Sequence, residues 1–521
     1  MNESISDQRS PGQDGSPTSR RRWPDYMTVW RWHFYAGLFC IPFVLVLSIT
    51  GTIFLFRPQI EAWEERELDR LIGDQPAMSY ADQVLAAQRE TNGWLAALEV
   101  VSEPATNPGH TSATRVIVEA DGQRLRTYVD PFTGEVRRVI NESERFIRFI
   151  RQIHGELMLG KRGSYLVELA ASWTIIMVVT GAVLWMPRRA RLAGVVYPRI
   201  TRKGKVFWKD LHSVVGFWSA GLIVFLIATG LPWSTFWGDY FKSIRKWTGT
   251  SVARQSWDGG HAEHDAADTE SELVHKGNEE HKGHKGHGEH NGHEARPKVK
   301  PSRQPAWRAS AVDPDTYQAE EINAAADYAK TLNWLPPVEI SPPADGSSVW
   351  TIQSTTANRP HRQSMKWDAR TGSVVSRETF SDKHWVDQMV GQGIALHEGQ
   401  RFSDRSFGWI NQAVALFATT SLVMLSCSGV VLWWRRRRQG HVSESSSGLH
   451  PPGVKTTSDP VVLSRARTLA VIGVAIALAT YLPLFGLSLV IVLVADRMLT
   501  RLSPRASRWL GRHTPSAAMG A

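Results

Sequence analysis

The chain has 521 residues, of which 42% are hydrophobic, and its formal net charge is +10. Its only cysteines are Cys40 and Cys427, which excludes a disulfide framework, a Cys-x-x-Cys-His attachment for covalent haem and an iron–sulfur ligand set. The basic residues gather in segments beside long apolar runs, so the net charge is explained without a nucleic-acid partner.

Four apolar runs are long enough to cross a lipid bilayer. The first is too long for the apolar region of a signal peptide and ends without a small-residue cleavage motif, so we expect it to remain as an anchor. A fifth run is interrupted by Tyr481-Leu-Pro483 and has basic residues on both sides, which favours a hairpin over the alternative of a single span. The predicted segments are spans at 30–56, 161–187, 208–237 and 403–434 and a C-terminal hydrophobic hairpin at 467–498.

Basic residues indicate the side of the membrane on which each connecting segment lies. Arginine and lysine are abundant before the first span, between the second and third, and after the fourth, and such segments usually face the cytoplasm. We therefore expect a multi-pass protein of the bacterial inner membrane with a cytoplasmic N-terminus. The cytoplasmic segments are a disordered N-terminus (1–29), a basic loop (188–207), a linker (435–466) and a basic tail (499–521), and the periplasmic segments are 57–160 and 238–402.

The two periplasmic segments share one sequence pattern. Each has an amphipathic helix followed by an Asp-x-x-Thr-Gly-x-Val hairpin. The helix and hairpin begin at Ser79 and Asp130 in the first segment and at Thr316 and Asp368 in the second. Spans two and four also match, at Thr180-Gly181 and Ser428-Gly429. The predicted fold is an α-helical transmembrane bundle from an internal duplication of a span–module–span unit, with two periplasmic α+β modules.

The first and third spans begin with a similar histidine motif. His33 follows two tryptophans and precedes Gly37 by four residues, and His212 follows Trp208 and precedes Gly216 by four residues. A Thr-Gly pair ends 18 residues after each histidine, at Gly51 and Gly230, which is about five helical turns and places them on one face. An ionisable imidazole at the same register of two spans indicates a metal or haem ligand.

These motifs together resemble the PepSY-associated transmembrane family, also called iron-regulated membrane proteins. The resemblance covers about Trp30 to Arg438 and includes the histidine motifs, the Thr-Gly pairs and both hairpins with their preceding helices. Characterised members of that family include inner-membrane ferric-siderophore reductases that bind two b-type haems. The resemblance therefore implies two non-covalent haems with paired histidine ligands.

Two further histidines, His154 and His397, precede the second and fourth spans. The topology places His33 and His212 near the cytoplasmic side and these two near the periplasmic side. We expect each pair to ligate one haem, and we expect Gly37 and Gly216 to allow the close approach of the macrocycle or of a neighbouring helix. The alternative for any one histidine is a contact with lipid head groups.

A histidine-rich insert at 260–295 interrupts the second periplasmic segment. Its low complexity predicts disorder, and its imidazoles suit Zn(II), Cu(II) or Ni(II). The alternative is a solvated insertion with adventitious metal affinity. The candidate metal ligands are His261, His264, His275, His281, His284, His287, His290 and His293.

These observations favour a di-haem oxidoreductase that passes electrons from an unidentified donor to a periplasmic ferric siderophore or other Fe(III) complex. Reduction weakens the hold of hard oxygen ligands on iron, so the chelate would release Fe(II). One alternative is a non-redox binding or regulatory protein whose periplasmic modules engage a partner. Another is an accessory for uptake of Cu, Ni or Zn through the histidine-rich insert.

Overall fold

The computed structural model describes residues 26–74, 76–100, 111–186, 192–250, 319–343, 347–439 and 465–502. The chain divides into two compact units. The first unit consists of Met1–Ile41, Ser172–Trp218 and Leu425–Ala521, and the second unit consists of Pro42–Ala171 and Ser219–Met424. The histidine-rich insert at 260–295 and most of the predicted N-terminal segment and basic tail lie outside the described residues.

The described residues form helices and strands with the following bounds. The helices are α1 (Tyr26–Leu55), α2 (Arg57–Glu64), α3 (Tyr80–Thr91), α4 (Phe146–Glu156), α5 (Lys161–Trp185), α6 (Lys205–Gly230), α7 (Thr235–Trp247), α8 (Ala319–Thr331), α9 (Trp385–His397), α10 (Trp409–Gln439), α11 (Arg465–Tyr481) and α12 (Pro483–Leu502). The strands are β1 (Trp94–Val100), β2 (Thr114–Ala120), β3 (Gln123–Val129), β4 (Val136–Asn141), β5 (Val338–Ser341), β6 (Val349–Ser354), β7 (Gln363–Asp368) and β8 (Ser373–Thr379).

Among the described residues, four helices are long and apolar enough to cross a membrane: α1, α5, α6 and α10. The protein is therefore a membrane protein with a helical part. The few polar side chains of these four helices must find hydrogen-bond partners inside the protein. Threonine hydroxyls do so by donating to the carbonyl oxygen four residues earlier. These bonds join Thr50 to Val46 at 2.7 Å, Thr180 to Ile176 at 2.7 Å and Thr229 to Phe225 at 2.8 Å.

The helix ends differ from the predicted span boundaries at several points. The third span was predicted to 237, but α6 ends at Gly230, and Pro232 lies in the turn that precedes α7. The fourth was predicted from 403, but α10 begins at Trp409. His154 and His397 lie in the separate short helices α4 and α9. These turns redirect the chain, so neither histidine continues a spanning helix.

The C-terminal apolar run forms two helices that bend sharply at Leu482. A Cβ on Gly486 would lie 2.7 Å from the carbonyl oxygen of Ala479, so only glycine permits this bend. Helix α12 packs within the first unit on Trp173 of α5, whose ring lies 5.2 Å from that of Phe485. The Trp173 indole also donates a hydrogen bond to the Ser488 hydroxyl.

The two predicted α+β modules share one continuous antiparallel sheet in the second unit. Its strand order is β4-β3-β2-β1-β5-β6-β7-β8, so the first four strands come from one segment and the last four from the other. Strands β1 and β5 join the halves, with Leu98 opposite Ile340 and Val100 opposite Val338. The pairing closes two strand edges that separate modules would expose. The Asp-x-x-Thr-Gly segments connect β3 to β4 and β7 to β8.

One hydrophobic core serves both halves of the sheet. Leu98 and Ile340 from the central strands, Trp350 from β6, and alanines of α3 and α8 are buried together. Small alanine side chains let both helices approach the sheet closely. The two helices are also tied by a hydrogen bond from the Ala81 backbone to the Asn323 side chain, at 3.0 Å.

Buried arginines in the first half of the sheet form ion pairs with buried carboxylates. Arg115 in β2 lies 2.6 Å from Glu65 and 2.9 Å from Asp69, and Arg126 in β3 lies 2.5 Å from Glu99. The side chains of Arg115 and Glu99 are only 7% and 8% exposed, so either charge would be costly without its partner. This ion-pair network connects the segment after α2 to the sheet.

We predict that Arg115→Met destabilises the second unit by about 3–5 kcal/mol, because Glu65 and Asp69 would lose their buried counter-charge. The measurement is thermal unfolding in detergent. Arg66→Met is the matched control, since Arg66 is 44% exposed and a surface substitution changes stability by about 0.5 kcal/mol or less. Equal melting temperatures for the two variants would contradict the network's role.

The wild type and Arg115→Met together test how the stability of this network depends on pH. Burial opposes ionisation of Glu65, but the Arg115 charge and the Tyr128 hydrogen bond outweigh it and lower the pKa of Glu65. Its stabilising effect is thus present above the unfolded-state value of about 4.3 and is lost as the pH falls through the lower folded-state pKa. We expect the difference in melting temperature between the wild type and Arg115→Met to shrink below about pH 4. A difference that grows on acidification would refute this assignment.

Candidate functional site

The first unit brings His33 and His212 together. His33 lies in α1 and His212 in α6, and their ring centres are 6.3 Å apart with the ring planes at 90°. The Nδ1 atom of His33 lies 3.0 Å from the Thr180 hydroxyl of α5, and that of His212 lies 2.9 Å from the Ser428 hydroxyl of α10. Four helices thus contribute to one site, which we call the first histidine pair.

The second unit brings His154 and His397 together in the same manner. Their ring centres are 6.4 Å apart and their planes meet at 77°. The Nδ1 atom of His154 lies 3.0 Å from the Thr50 hydroxyl of α1, and that of His397 lies 3.0 Å from the Thr229 hydroxyl of α6. We call this site the second histidine pair.

The hydroxyl groups determine the tautomer of all four imidazoles. A hydroxyl has one proton to donate, and Thr180, Thr50 and Thr229 already donate it to a carbonyl of their own helix. Ser428 does the same to Leu425 at 3.1 Å. Each hydroxyl oxygen therefore accepts the Nδ1 proton of its histidine, which leaves the Nε2 lone pair available. This is the tautomer that a metal ligand requires, with its second nitrogen held by a hydrogen bond.

A glycine next to each hydroxyl residue makes room for the imidazole. A Cβ at Gly181 would lie 3.2 Å from Cε1 of His33, and one at Gly51 would lie 3.2 Å from Cε1 of His154. Gly230 and Gly429 occupy the same position beside His397 and His212, at 3.3 and 3.9 Å. Any larger residue at the two tightest positions would push the ring away from its hydroxyl partner. The hydroxyl–glycine dipeptide is therefore a support for a histidine on another helix.

Both pairs have the spacing that two axial ligands of one metal need. Metal–nitrogen bonds of about 2.0 Å, with about 1.1 Å from nitrogen to ring centre, would separate two ring centres by about 6.2 Å. The observed separations are 6.3 and 6.4 Å. Within the described ranges no group of three or more His, Cys, Asp or Glu side chains could hold a metal ion. Two imidazoles at this separation would fit a metal whose remaining ligands belong to a macrocycle, as in haem.

Burial keeps the second pair in the ligating form. It lowers the pKa of both His154 and His397, so both rings are neutral at neutral pH. Neutral imidazole is the form that binds iron.

The glycines singled out by spacing have different neighbours. A Cβ at Gly37 would meet the Met177 side chain at 3.6 Å, and one at Gly216 would meet that of Leu425 at 3.6 Å, so both glycines lie at contacts between helices. Gly51 lies 18 residues after His33 but contacts His154 instead. Sequence reasoning missed the hydroxyl residues as partners, although the repeated Thr-Gly and Ser-Gly pairs were the signal for them. The eight histidines of the insert lie outside the described residues.

We predict that the second pair binds haem and that Thr50→Val weakens this binding about 10–100-fold, because the His154 Nδ1 proton would lose its acceptor. The measurement is a spectrophotometric titration of haem into the depleted protein. Thr52→Val is the matched control: Thr52 lies in the same helix, and its hydroxyl lies 2.8 Å from both the Ser48 carbonyl oxygen and the Thr419 hydroxyl, away from any histidine. Identical affinities in the two variants would show that the hydroxyl does not support the ligand.

Comparison with known proteins places the chain in a family. The family model described as the PepSY-associated TM region matches residues 30–436, which is more than half of the chain and includes all four histidines of the two pairs. No curated protein matches the sequence. The resemblance inferred from the motifs is thereby confirmed, and the chain belongs to the PepSY-associated transmembrane family.

Proposed function

We propose that the protein is a di-haem oxidoreductase of the bacterial inner membrane that reduces a periplasmic ferric chelate, such as a ferric siderophore. The observation that carries this proposal is the pair of matched sites, each with two imidazoles at axial-ligand spacing and with Nδ1 bound to a hydroxyl. Membership of an iron-regulated type of membrane family supports the same conclusion.

The chain's own residues would hold each haem and control its surroundings. His33 with His212, and His154 with His397, would supply the axial nitrogens. When bound, each haem iron supplies one-electron redox chemistry, whose potential depends on the axial ligands and the polarity around them. The hydroxyl partners make the imidazoles better donors by accepting the Nδ1 protons. Burial shields His154 and His397 from water and keeps both rings neutral.

The overall reaction consumes one electron for each ferric ion. An electron donor on the cytoplasmic side supplies the electron, and the periplasmic Fe(III) complex is reduced to its Fe(II) form. Oxygen-rich chelators hold Fe(II) less tightly than Fe(III), so the metal can leave the chelate for uptake. No general acid, general base or nucleophile is needed for this step.

The proposed orientation rests on the distribution of basic residues. The segment at 188–207 and the arginines from Arg435 onward flank spans on the side assigned to the cytoplasm. The N-terminus would then be cytoplasmic, and the sheet and the second histidine pair would be periplasmic.

A second candidate function belongs to the histidine-rich insert. Eight histidines between 260 and 295 could collect Cu, Ni or Zn from the periplasm for an uptake system. Deletion of residues 260–293 should then abolish binding of these ions without changing the haem content. The two functions are separable because the insert contains none of the four paired histidines.

We predict that the protein purified in detergent carries two haems and that its reduced spectrum shows b-type bands. His33→Ala and His212→Ala should each remove one haem, and His154→Ala and His397→Ala should each remove the other. His361→Ala is the control, because His361 is 38% exposed and belongs to neither pair. Oxidation of the dithionite-reduced protein by a ferric chelate in stopped flow completes the test. Colourless protein, or loss of haem in the control only, would disprove the proposal.

A further inference from the structure

Five arginines of the second unit come together beside the second histidine pair. We call them the arginine cluster: Arg57, Arg148, Arg151, Arg359 and Arg362. Two of them lie over the Trp233 ring: the guanidinium carbon of Arg151 is 5.2 Å from the ring centre and that of Arg359 is 5.0 Å from it. Of the other three, Arg57 and Arg148 are charged neighbours of Arg151, and Arg362 is a charged neighbour of Arg359. Residues far apart in sequence thus place cations on one indole.

The cluster adjoins the histidines through two short connections. Arg151 precedes His154 by three residues in α4, so both lie on the same side of that helix. Arg359 lies 3.5 Å from the Glu398 carboxylate, and Glu398 directly follows His397. A ligand held by these arginines would therefore lie next to both histidines of the pair.

The cluster has more positive than negative charge. The carboxylate that contacts Arg359 is Glu398, and the one that contacts Arg57 is Glu61, which also binds Arg145 at 3.0 Å. Glu398 is surrounded by four arginines of the cluster, namely Arg57, Arg151, Arg359 and Arg362. Among the described residues, the buried Nε atom of Arg359 has no hydrogen-bond partner. Such a surplus is costly unless an anion compensates it.

Burial and the surplus of positive charge also lower the pKa values of two arginines of the cluster. Burial, together with neighbouring guanidinium groups, lowers the pKa of Arg151 and of Arg362 to about 10. Arg115 and Arg126 in the sheet are buried too, but carboxylates surround them and raise their pKa values. The two groups of arginines differ in their neighbours. Carboxylates of the chain balance the charges of the sheet arginines, whereas the cluster has fewer carboxylates than guanidinium groups.

We propose that the arginine cluster is a binding site for the carboxylate groups of an anionic ligand next to His154 and His397. Guanidinium groups bind carboxylates through paired, charge-assisted hydrogen bonds. Two sources offer this chemistry: the carboxylates of a porphyrin held by the second pair, and those of an anionic ferric chelate that accepts the electron. In either case the proposal deepens the proposed function and rests on it for the identity of the ligand.

The variants for the test are Arg151→Gln and the double variant Arg359→Gln with Arg362→Gln, in the full-length protein. Arg66→Gln is the matched control, because Arg66 also lies over a tryptophan, 4.8 Å from the Trp63 ring centre, but is exposed and outside the cluster. Two measurements are made on each protein. One is the affinity for citrate and for ferric citrate by calorimetry, with a neutral ferric hydroxamate as comparison; the other is haem content with the midpoint potential of each haem.

If the chelate supplies the carboxylates, we expect citrate and ferric citrate to bind about tenfold or more weakly to the cluster variants. Binding of the neutral hydroxamate and the haem properties should not change. If the porphyrin supplies them, the haem of the second pair should be lost or shifted in potential in the cluster variants, with citrate binding unchanged. Raised salt should weaken binding of the anions in the wild type.

The melting temperature provides a check on folding. Arg151→Gln should melt at a higher temperature than the wild type measured without citrate, because a repelling charge is removed from a crowded site. A merely structural arginine would have the opposite effect. Unchanged citrate affinity, haem content and potentials in folded cluster variants would overturn the proposal. Citrate binding is independent of haem, so this arm decides the matter even if the purified protein is colourless and the proposed function fails.

Discussion

Each histidine of the two pairs depends on one hydrogen bond, from its Nδ1 proton to a threonine or serine hydroxyl. The hydroxyl can only accept, because its own proton is committed to a carbonyl of its helix, as in Thr180 and Thr229. That constraint selects the tautomer, aims the ring and leaves Nε2 for a ligand. It also explains the glycine beside each hydroxyl, since a side chain there would meet the imidazole. The sites therefore need matched helices rather than isolated histidines.

Buried arginine has two different uses in this protein. In the sheet, Arg115 and Arg126 are each surrounded by carboxylates, and the resulting network supports the fold. Beside the second histidine pair, Arg151 lies near Arg57, Arg148 and Arg359, with Glu398 as the neighbouring carboxylate. The first arrangement is complete within the chain, while the second has a surplus of charge. An uncompensated positive charge lowers the stability of the free protein, and an anionic ligand that neutralises it would restore that stability.

The continuous sheet joins the two predicted modules into one structure. Each half has a helix and four strands, but neither half has a complete core, because Leu98 and Ile340 lie together in the centre. The halves are joined by the pairing of β1 with β5, so the segments that carry α4 and α9 both follow strands of one sheet. A common platform suits two histidines that must lie within a few ångströms of each other.

The sequence by itself determined the four apolar helices, the hairpins and the four histidines, because these depend on local composition and on motifs that recur along the chain. It also determined the family, through the order of those motifs. Only the tertiary structure decided which hydroxyl supports each histidine, that Gly51 serves His154, and that β1 pairs with β5. It also decided that Arg151 and Arg359 converge on Trp233. Each of these is a contact between distant segments, and residue type and spacing carry no record of which distant segments will meet.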